Sequence, residues 1–438
     1  MATRSTAETA EVARKSGEAT TSSRPSPAPS NTGVFGWMSR TFESLSDRNF
    51  RILWFGMMLS MGGFQMQMIA RGILVYDITQ DASITAIVSM GFAPSLLVVS
   101  LFGGVLGDRM ERRSIIQIAQ FMNALSAGVV AALIITGTIE WWHLFIVSIA
   151  QGAMFAIQMP ARQAAIPTLV GKERVGNAVA LNAMAMSLMN VAGPALGGLV
   201  YGIWGPEVTY VVVTVIMSVA VLITGLIPKM YPPAETVRKS VIGNIKAGFS
   251  YLQINPLVRA MLIYSMLLAL LSMPFRMLVP VFAEDLYGVD PAGVGVFAMM
   301  IGVGGVAASI LSAGLRKGQH RGIVFLSAGV IAGVTLLLIG LIPIYVAGVA
   351  LAIGVGFSET IRWGLGQALI MEETEDTYRA RMMSLMMMSF GLMPAAVLPI
   401  GYAIEEFGAR ETVFGMAAVL MVASVLFVAL NRRIRQLN

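Results

Sequence analysis

The sequence predicts an all-α membrane protein in which twelve transmembrane helices form two six-helix pseudo-repeats. Apolar residues make up 56% of the 438-residue chain and charged residues only 12%, which is more apolar surface than a soluble domain can bury. From Phe50 onward the chain divides into apolar segments of about 20 residues, the length that crosses a bilayer as a helix. Lys and Arg collect in every second connection between these segments, as expected of a multi-pass membrane protein.

The apolar segments, taken in order along the chain, define the predicted helices. We predict transmembrane spans at residues 50–76, 83–107, 114–137, 141–163, 176–203, 208–228, 257–283, 291–315, 322–341, 343–371, 380–404 and 411–431. Residues 1–40 contain mostly Ser, Thr, Ala and Pro, with few large apolar side chains. Such a composition does not offset the entropy cost of ordering, so we expect a disordered cytoplasmic tail there.

The longest connection divides the spans into two groups of six. We expect an N-terminal six-helix bundle in residues 41–228, a cytoplasmic linker in 229–256, a C-terminal six-helix bundle in 257–431 and a cytoplasmic C-terminal tail in 432–438. The linker contains an amphipathic stretch, residues 241–252, that is suited to lie along the membrane surface. The second and eighth spans are both rich in glycine and both precede a basic loop, which indicates the internal repeat of a secondary transporter.

The alternation of charge predicts the side of the membrane that each connection faces. One set of connections contains nearly all of the Lys and Arg, whereas the opposite set contains Asp and Glu with Arg410 as its only basic residue. Because Lys and Arg accumulate in cytoplasmic loops, both termini are predicted to lie in the cytoplasm. The predicted location is the inner (cytoplasmic) membrane of a bacterial cell.

Several classes of function are excluded by composition. The chain has no cysteine and two histidines, His143 and His320, so we expect no disulfide, no thiol nucleophile, no bound metal and no other cofactor. It contains neither a Walker-type phosphate loop nor a Gly-x-Ser-x-Gly elbow, which argues against an enzyme. The net charge of +6 is spread over helix ends and not gathered on one polar face, so nucleic acid is not an expected partner.

A tight charge cluster between the second and third spans is the most informative motif. It is the run Gly104-Val-Leu-Gly-Asp108-Arg109-Met-Glu-Arg112-Arg113, which predicts a short loop at the membrane surface. Its spacing resembles the signature loop between helices 2 and 3 of the major facilitator superfamily, although Glu111 stands where glycine is usual. The resemblance implies a gate in which Asp108 lies at the start of the eleventh helix, where the helix dipole favours a carboxylate. An ordinary anchoring loop is the alternative.

The fifth predicted span contains small residues around a proline. Its run Gly193-Pro194-Ala-Leu-Gly197-Gly198 resembles an element of proton-driven antiporters of the same superfamily. The glycines would allow close helix approach and the proline a bend. Simple packing of small residues is the alternative, because Met186, Ser187 and Asn190 replace the upstream glycines of the longer motif.

Three further stretches resemble the bacterial drug and siderophore exporter branch of the superfamily, which includes the enterobactin exporter and macrolide efflux proteins. They lie at residues 66–76, 159–182 and 378–384 and contain cytoplasmic loop motifs with Arg162, Arg174, Arg379 and Arg381. The resemblance implies a monomer that exports a small amphiphilic molecule in exchange for protons. The substrate does not follow from it, because members of the branch transport unlike molecules.

Four ionisable residues lie within predicted spans, namely Arg71, Arg276, Glu359 and Arg362. Each costs about 3 kcal/mol at the centre of a membrane, so each requires a partner, water or a function. Glu359 lies near the middle of the tenth span, and Arg362 follows one turn later on the same face. We hypothesise that Glu359 binds the coupling proton, with burial favouring its protonated form and Arg362 its ionised form. A static ion pair that braces the helix is the alternative.

Arg71 and Arg276 occupy equivalent positions in the first and seventh spans. If they face a central cavity, three arginines and one glutamate would favour anionic or zwitterionic cargo; the alternative is that they extend to the outer interface. Other polar residues predicted either to line the cavity or to bond neighbouring helices are Gln65, Gln67, Gln158, Asn182, Asn190 and Gln367.

These features together predict a secondary active transporter in a lipid bilayer, with a small molecule and protons as its partners. Proton-coupled efflux by alternating access is the function that the motifs favour. An importer or symporter and a lipid translocator of the same fold remain alternatives. A membrane sensor or scaffold that has lost transport is the alternative from another class.

Overall fold

The computed structural model of the protein describes residues 42–107, 111–231, 250–315, 320–375, 378–379, 381–383, 385–386, 393–431 and 434. The regular structure in these ranges is helical, without strands. Twelve helical stretches coincide with the twelve predicted spans, which confirms the predicted all-α membrane fold. The predicted N-terminal tail, most of the linker and most of the C-terminal tail lie outside the described residues.

The first six helices follow a short 3₁₀ turn, Glu43–Ser46. Helix α1 is Arg48–Thr79, and α2 consists of Ala82–Met90 and Phe92–Gly107, which meet at Gly91. Helix α3 is Arg112–Ile135 and α4 is Trp141–Val170. After a 3₁₀ turn, Lys172–Arg174, the helices α5 and α6 form the two arms of one stretch, Val175–Gly225.

The remaining helices begin at Pro256. Helix α7 consists of Pro256–Met277 and Val279–Tyr287, α8 is Pro291–Gly314 and α9 is Arg321–Leu341. Helix α10 runs from Tyr345–Thr360 through a π-helical turn, Ile361–Leu365, into Gly366–Glu372. The longest described part of α11 is Met393–Phe407, with further helical residues at 378–379, 381–383 and 385–386, and α12 is Ala409–Leu430.

A glycine separates α5 from α6. The stretch Val175–Gly225 has 51 residues, about 75 Å of helix, which is more than twice the hydrocarbon thickness of about 30 Å. Gly205 interrupts it with φ 83° and ψ 176°, a conformation that glycine adopts readily. Two crossings result, 175–204 and 206–225. Among the described residues ten helices qualify as membrane spans by length and composition, because this stretch counts once and the longest described part of α11 has only 15 residues.

Polar caps define where several helices begin. The Asp47 side chain accepts hydrogen bonds from the backbone N–H groups of Asn49 and Phe50 at the start of α1. Asn255 and Asp290 cap α7 and α8 in the same way, and each is followed by proline at the first helical position. These caps satisfy N–H groups that have no partner within the helix, and the prolines lose no helical hydrogen bond there.

Glycine brings α5 and α8 into backbone contact. A Cβ atom added to Gly198 would collide with the Cα of Gly295, and one added to Gly302 would lie 2.6 Å from the Asn190 carbonyl oxygen. The hydrophobic effect does not draw helices together inside a membrane, so the van der Waals attraction between closely packed backbones takes its place. The contact between α5 and α8 therefore depends on the absence of side chains at these positions.

The two ends of the helical bundle differ in charge. We call the end with the connections 80–81, 136–140, 288–290 and 408 the acidic end, and the end with the connections 108–111, 171–174 and 315–320 the basic end. Near the acidic end α1 contacts α7 through Gly72 and Pro280, and α2 contacts α11 through Ala86 and Gly401. The N-terminal and C-terminal helices therefore meet near the acidic end.

Replacement of Gly198 by alanine tests the glycine contact. The added methyl group would push α5 away from α8, and we expect Gly198→Ala to destabilise the protein by about 1–3 kcal/mol. Gly176 lies in the same helix with open space around it, so Gly176→Ala is the matched control and should not lower the melting temperature. Equal thermal unfolding of the two variants in detergent would contradict the contact.

Candidate functional site

A small cavity lies where α1, α2, α5, α7 and α8 meet. Its volume is about 50 Å³, enough for a few water molecules and well below the roughly 300–1,000 Å³ of a typical ligand pocket. Polar and small residues that line it are Gln65, Arg71, Ser89, Pro194, Arg276 and Ala298. A drug-sized molecule therefore requires that the walls of this cavity separate.

Arg71 is buried on the α1 wall of this cavity, with 5% of its surface exposed. Its Nη1 donates a hydrogen bond to Oε1 of Gln151 on α4. Among the described residues no carboxylate forms an ion pair with it. A buried guanidinium that is held by a neutral amide leaves positive charge available to a ligand or to water in the cavity. Arg71 thus faces the cavity and does not extend to the outer interface.

Arg276 and Glu359 form an ion pair between α7 and α10, with Arg276 Nη1 3.0 Å from Glu359 Oε2. The Glu359 side chain is 9% exposed and its Oε1 has no hydrogen-bond partner. The Arg276 side chain is 33% exposed and lines the cavity. Arg276 therefore connects the buried carboxylate to the cavity.

Glu359 forms its close ion pair with Arg276 and not with Arg362, which lies one turn further along the same helix. Arg362 is buried, and its Nη1 lies 3.4 Å from the Ser265 carbonyl oxygen on α7, as a long hydrogen bond. The sequence places Arg362 one turn from Glu359, but a facing helix supplies a better placed cation. Spacing along one helix does not show whether a residue on a neighbouring helix lies closer.

The predicted polar residues have different surroundings. Gln65 donates to the Asn190 side chain and so links α1 to α5, and Gln158 lies 3.5 Å from the Ser60 hydroxyl. Neither amide atom of Gln67 has a partner, although the residue is fully buried. Gln367 contacts the sulfur of Met383 at 3.1 Å, and Asn182 contacts the sulfur of Met186. Of this group only Gln65 lines the cavity.

The helix-5 motif lies directly behind the cavity. A Cβ atom added to Gly193 would lie 2.5 Å from Cβ of Gln65. One added to Gly197 would lie 2.6 Å from the side chain of Ile69. Pro194 itself lines the cavity. The motif therefore holds α5 against α1 on one side, and Gly198 holds it against α8 on the other.

The gate motif is described only in part, because Asp108 and Arg109 lie outside the described residues. Gly104 belongs to α2. Arg112 donates to the Ala164 carbonyl at 2.8 Å and to the Thr168 hydroxyl at 3.0 Å, both on α4. Arg113 donates to the carbonyls of Gly225 and Ile227 at the end of α6. The two arginines therefore link the basic end of α3 to α4 and to the end of α6.

Three of the four arginines expected in cytoplasmic loops are helical residues, namely Arg162, Arg379 and Arg381. Arg162 lies inside α4, which extends to Val170 although its predicted span stops at 163, and it is 5% exposed. The prolines at 160 and 167 are accommodated within the helix, as membrane helices often allow. Arg174 ends the 3₁₀ turn, Arg379 donates to the Met371 carbonyl, and Arg381 lies over the Tyr378 ring at 4.8 Å.

Sequence reasoning missed a set of tyrosine–carboxylate contacts at the acidic end. Tyr76 on α1 donates to Asp285 on α7 at 2.6 Å, and Tyr201 on α5 donates to Asp77 at 2.6 Å. Glu405 on α11 accepts from the N–H of Ala82 at the start of α2. The acidic residues were visible at helix ends, but their partners come from distant parts of the chain. No group of residues suited to bind a metal is present in the described ranges.

Two of these carboxyl groups lie beyond the predicted span of α7. Partial burial raises the pKa of Asp285, against the opposing effect of its hydrogen bond from Tyr76. Partial burial also raises the pKa of Glu284, and the carboxylates of Asp77 and Asp285 add to that shift. Both groups therefore favour the protonated state more than they would in water.

Comparison with known proteins gives consistent relatives. A family model described as transmembrane secretion effector matches residues 39–438. Macrolide efflux protein A of Streptococcus pyogenes is 24% identical over 381 residues, which cover 83% of this chain and 92% of the relative. Enterobactin exporter EntS of Escherichia coli is 24% identical over 287 residues, which cover 66% of this chain and 68% of the relative.

Solved structures share the fold. A POT family transporter crystallised with 5-aminolevulinic acid aligns with a TM-score of 0.72 at 12% identity, over 89% of this chain and 97% of that one. The nucleoside transporter NupG aligns with a TM-score of 0.70 at 13% identity, over 87% of this chain and 99% of that one. At such low identity the likeness concerns the arrangement of the helices and not the cargo.

The shifted carboxyl groups predict how stability depends on pH. Their pKa values in the folded protein lie above the ordinary values of 3.8 and 4.5, so the folded protein binds more protons than the unfolded chain. The stabilisation is present at acid pH and is lost as the pH rises through the folded-state pKa values. We expect the melting temperature in detergent to fall between about pH 4.5 and about pH 7.5, with a smaller fall in Asp285→Asn and Glu284→Gln. The control Glu173→Gln changes an exposed carboxylate at the other end and should keep the wild-type slope; equal slopes in all four proteins would contradict the assignment.

Proposed function

We propose that this chain, which belongs to the transmembrane secretion effector family of the major facilitator superfamily, exports a small amphiphilic molecule in exchange for protons. The family consists of multi-pass membrane transporters of small molecules. Relatives that are named for macrolide efflux and enterobactin export support outward transport, of a drug or siderophore for example. We place the chain in the bacterial inner membrane as a monomer with both termini in the cytoplasm.

The observation that carries the proposal is the ion pair of Arg276 with Glu359 beside the cavity. An ion pair within the hydrocarbon layer is expensive to bury, and this one is held at 3.0 Å with one carboxylate oxygen free of hydrogen bonds. The free oxygen can accept a proton, and the guanidinium on the other oxygen reaches the cavity. A protonation event at Glu359 thus changes the charge that the cavity presents.

Competition for Glu359 supplies the coupling. When Glu359 is ionised, it can accept a hydrogen bond or an ammonium group from the cargo, in place of Arg276. A proton on Glu359 removes the negative charge that attracts an ammonium group, so cargo and proton compete for the carboxylate. An exchange of cargo for protons requires this competition. Arg71, which lacks a counter-ion in the described structure, favours cargo whose other polar group is anionic or rich in oxygen acceptors.

Alternating access supplies the path. The proposal assigns the basic end to the cytoplasm because Lys and Arg accumulate there. The described contacts near the acidic end, such as Tyr76 with Asp285 and Gly198 with Gly295, then close the outer side. Outward opening requires these contacts to separate while contacts at the basic end form, in which the Asp108 motif would take part. The two six-helix groups, 41–228 and 257–431, are the bodies that would rock in this exchange.

The orientation has a direct test, since the natural chain contains no cysteine. Single substitutions Thr138→Cys and Glu173→Cys place a thiol in exposed connections at the acidic and basic ends. With a membrane-impermeant maleimide, we expect labelling of Cys at 138 in right-side-out vesicles and of Cys at 173 in inside-out vesicles. The reverse pattern would overturn the proposed topology.

Glu359→Gln tests the proton site. In sealed vesicles with an internal pH dye, wild type should show proton movement when macrolides or zwitterionic amphiphiles are added, and Glu359→Gln should show only the leak of empty vesicles. Cargo counterflow without a gradient should weaken in the variant, because glutamine, like the protonated carboxyl group, lacks the negative charge that binds the cargo. Glu373→Gln is the matched control, as Glu373 is exposed at the basic end.

Proton-coupled transport by Glu359→Gln would show that coupling lies elsewhere and that the ion pair only braces α10. Proton flux in the same direction as the cargo would replace export with symport. No cargo-dependent flux in wild type with any compound would favour a sensor or scaffold.

A further inference from the structure

A second, smaller cavity lies within the group of α1, α3 and α4, away from the cavity described above. Its volume is about 10 Å³, room for about one water molecule. Its polar wall consists of Ser60, Asn123, Gln158 and Arg162, and its apolar wall includes Phe64 and Phe155. Each of the four polar residues is more than nine-tenths buried. The cavity is therefore polar on one side and aromatic on the other.

Arg162 is a buried cation with no counter-ion among the residues that the structure describes. It is 5% exposed, and its Nε has no hydrogen-bond partner. In the described part of the chain no acceptor bonds to the guanidinium and no carboxylate pairs with it. A buried charge that is neither paired nor hydrogen-bonded is strongly unfavourable, and in membrane proteins such a charge typically marks a path or a ligand. The missing partner is an anion.

No acidic residue in the neighbouring helices supplies this anion. Between residues 48 and 225, within the described ranges, every Asp and Glu lies at or near a helix end or in a connection: Asp77, Asp81, Glu111, Glu140, Glu173 and Glu207. Glu111, at the start of α3, is bound to Arg113, Ser114 and the Met230 N–H. The described acidic residues of these helices therefore do not neutralise Arg162.

We infer that Arg162 binds the carboxylate of the transported amphiphile. A guanidinium and a carboxylate match as two parallel hydrogen bonds, and the amides of Asn123 and Gln158 and the hydroxyl of Ser60 are further donors. Gln158 is only weakly engaged, at 3.5 Å from Ser60. Because the cavity has a volume of only about 10 Å³, its side chains must move apart to admit the carboxylate. This inference rests on the proposed function, because it names the chemistry of the exported molecule.

The rest of such a molecule has an apolar surface to contact. Phe64, Phe92 and Phe155 form a cluster in which ring centroids lie 5.6 to 6.0 Å apart. Phe64, Phe155 and Met159 are partly exposed, whereas the polar wall is buried. An aromatic or alkyl body therefore fits at the mouth and the carboxylate at the base. Aromatic faces and methionine accept varied apolar shapes.

Equilibrium binding of a fluorescent pair tests the site. The probes are 1-pyrenebutyrate, which is a carboxylate, and 1-pyrenebutanol, which has the same body without charge. We expect purified wild type in detergent to bind the carboxylate more tightly than the alcohol. Arg162→Gln should weaken binding of the carboxylate by about tenfold or more and leave the alcohol unchanged. The affinity of Arg162→Lys for the carboxylate should lie between those of wild type and Arg162→Gln, because lysine keeps the charge but cannot form two parallel hydrogen bonds.

Two controls keep the test interpretable. Arg259→Gln makes the same substitution at an exposed arginine of α7 and should bind both probes as wild type does. Gln158→Leu keeps Arg162 and removes one donor, so it should weaken the carboxylate alone, by a smaller factor; this variant decides the question if Arg162→Gln does not fold.

Unchanged carboxylate binding in Arg162→Gln, or an equal loss for both probes, would overturn the inference. Tighter Arg162-dependent binding of dodecyl phosphate than of dodecanoate would overturn the choice of carboxylate and point to a phosphate headgroup. Because binding is measured without a membrane or a gradient, failure here leaves the proton-exchange assay as a separate test of the proposed function.

Discussion

The absence of water from the hydrocarbon layer is the constraint on which the rest of this structure depends. Each polar group that enters the layer must find its partner within the protein. Backbone groups meet this demand by forming helices, and most charged side chains meet it by lying at helix ends. The few charges that remain inside, Arg71, Arg162, Arg276, Glu359 and Arg362, therefore identify where the molecule can bind or move something polar.

These buried charges are distributed unevenly. The C-terminal helices contain the carboxylate Glu359, which is paired with Arg276, whereas the described N-terminal helices contain Arg71 and Arg162 without an ion-pair partner. In the proposed mechanism, proton exchange therefore belongs to one group of helices and recognition of an anionic group to the other.

Helix packing determines how those charges are brought together. Helix α5 packs between α1 and α8 through two close contacts. Gly193 contacts Gln65 of α1, and the backbone of Gly198 contacts that of Gly295 in α8. Pro194, one turn before Gly198 on α5, lines the cavity together with Arg71 and Arg276. The tyrosine–carboxylate bonds at the acidic end join buried tyrosines to exposed aspartates, so the aspartates can bind water when these bonds break.

The sequence by itself determined the fold class, the number of helices and their approximate bounds. Length, hydropathy and charge alternation are properties of consecutive residues, and they determine for each segment whether and in which direction it crosses the bilayer. The same local information located Glu359, Arg71 and Arg276 within the membrane. It also identified the exporter branch through short motifs that require no knowledge of packing.

Only the tertiary structure decided which side chains meet. Arg276, 83 residues away, and not the neighbouring Arg362, pairs with Glu359, and Tyr76 meets Asp285 across 209 residues. Arg162 belongs to a motif expected in a cytoplasmic loop, yet α4 continues through two prolines and buries it. Partner choice depends on how helices distant in sequence rotate and cross. Hydropathy does not predict those angles, because lipid-facing and protein-facing residues in a membrane are almost equally apolar.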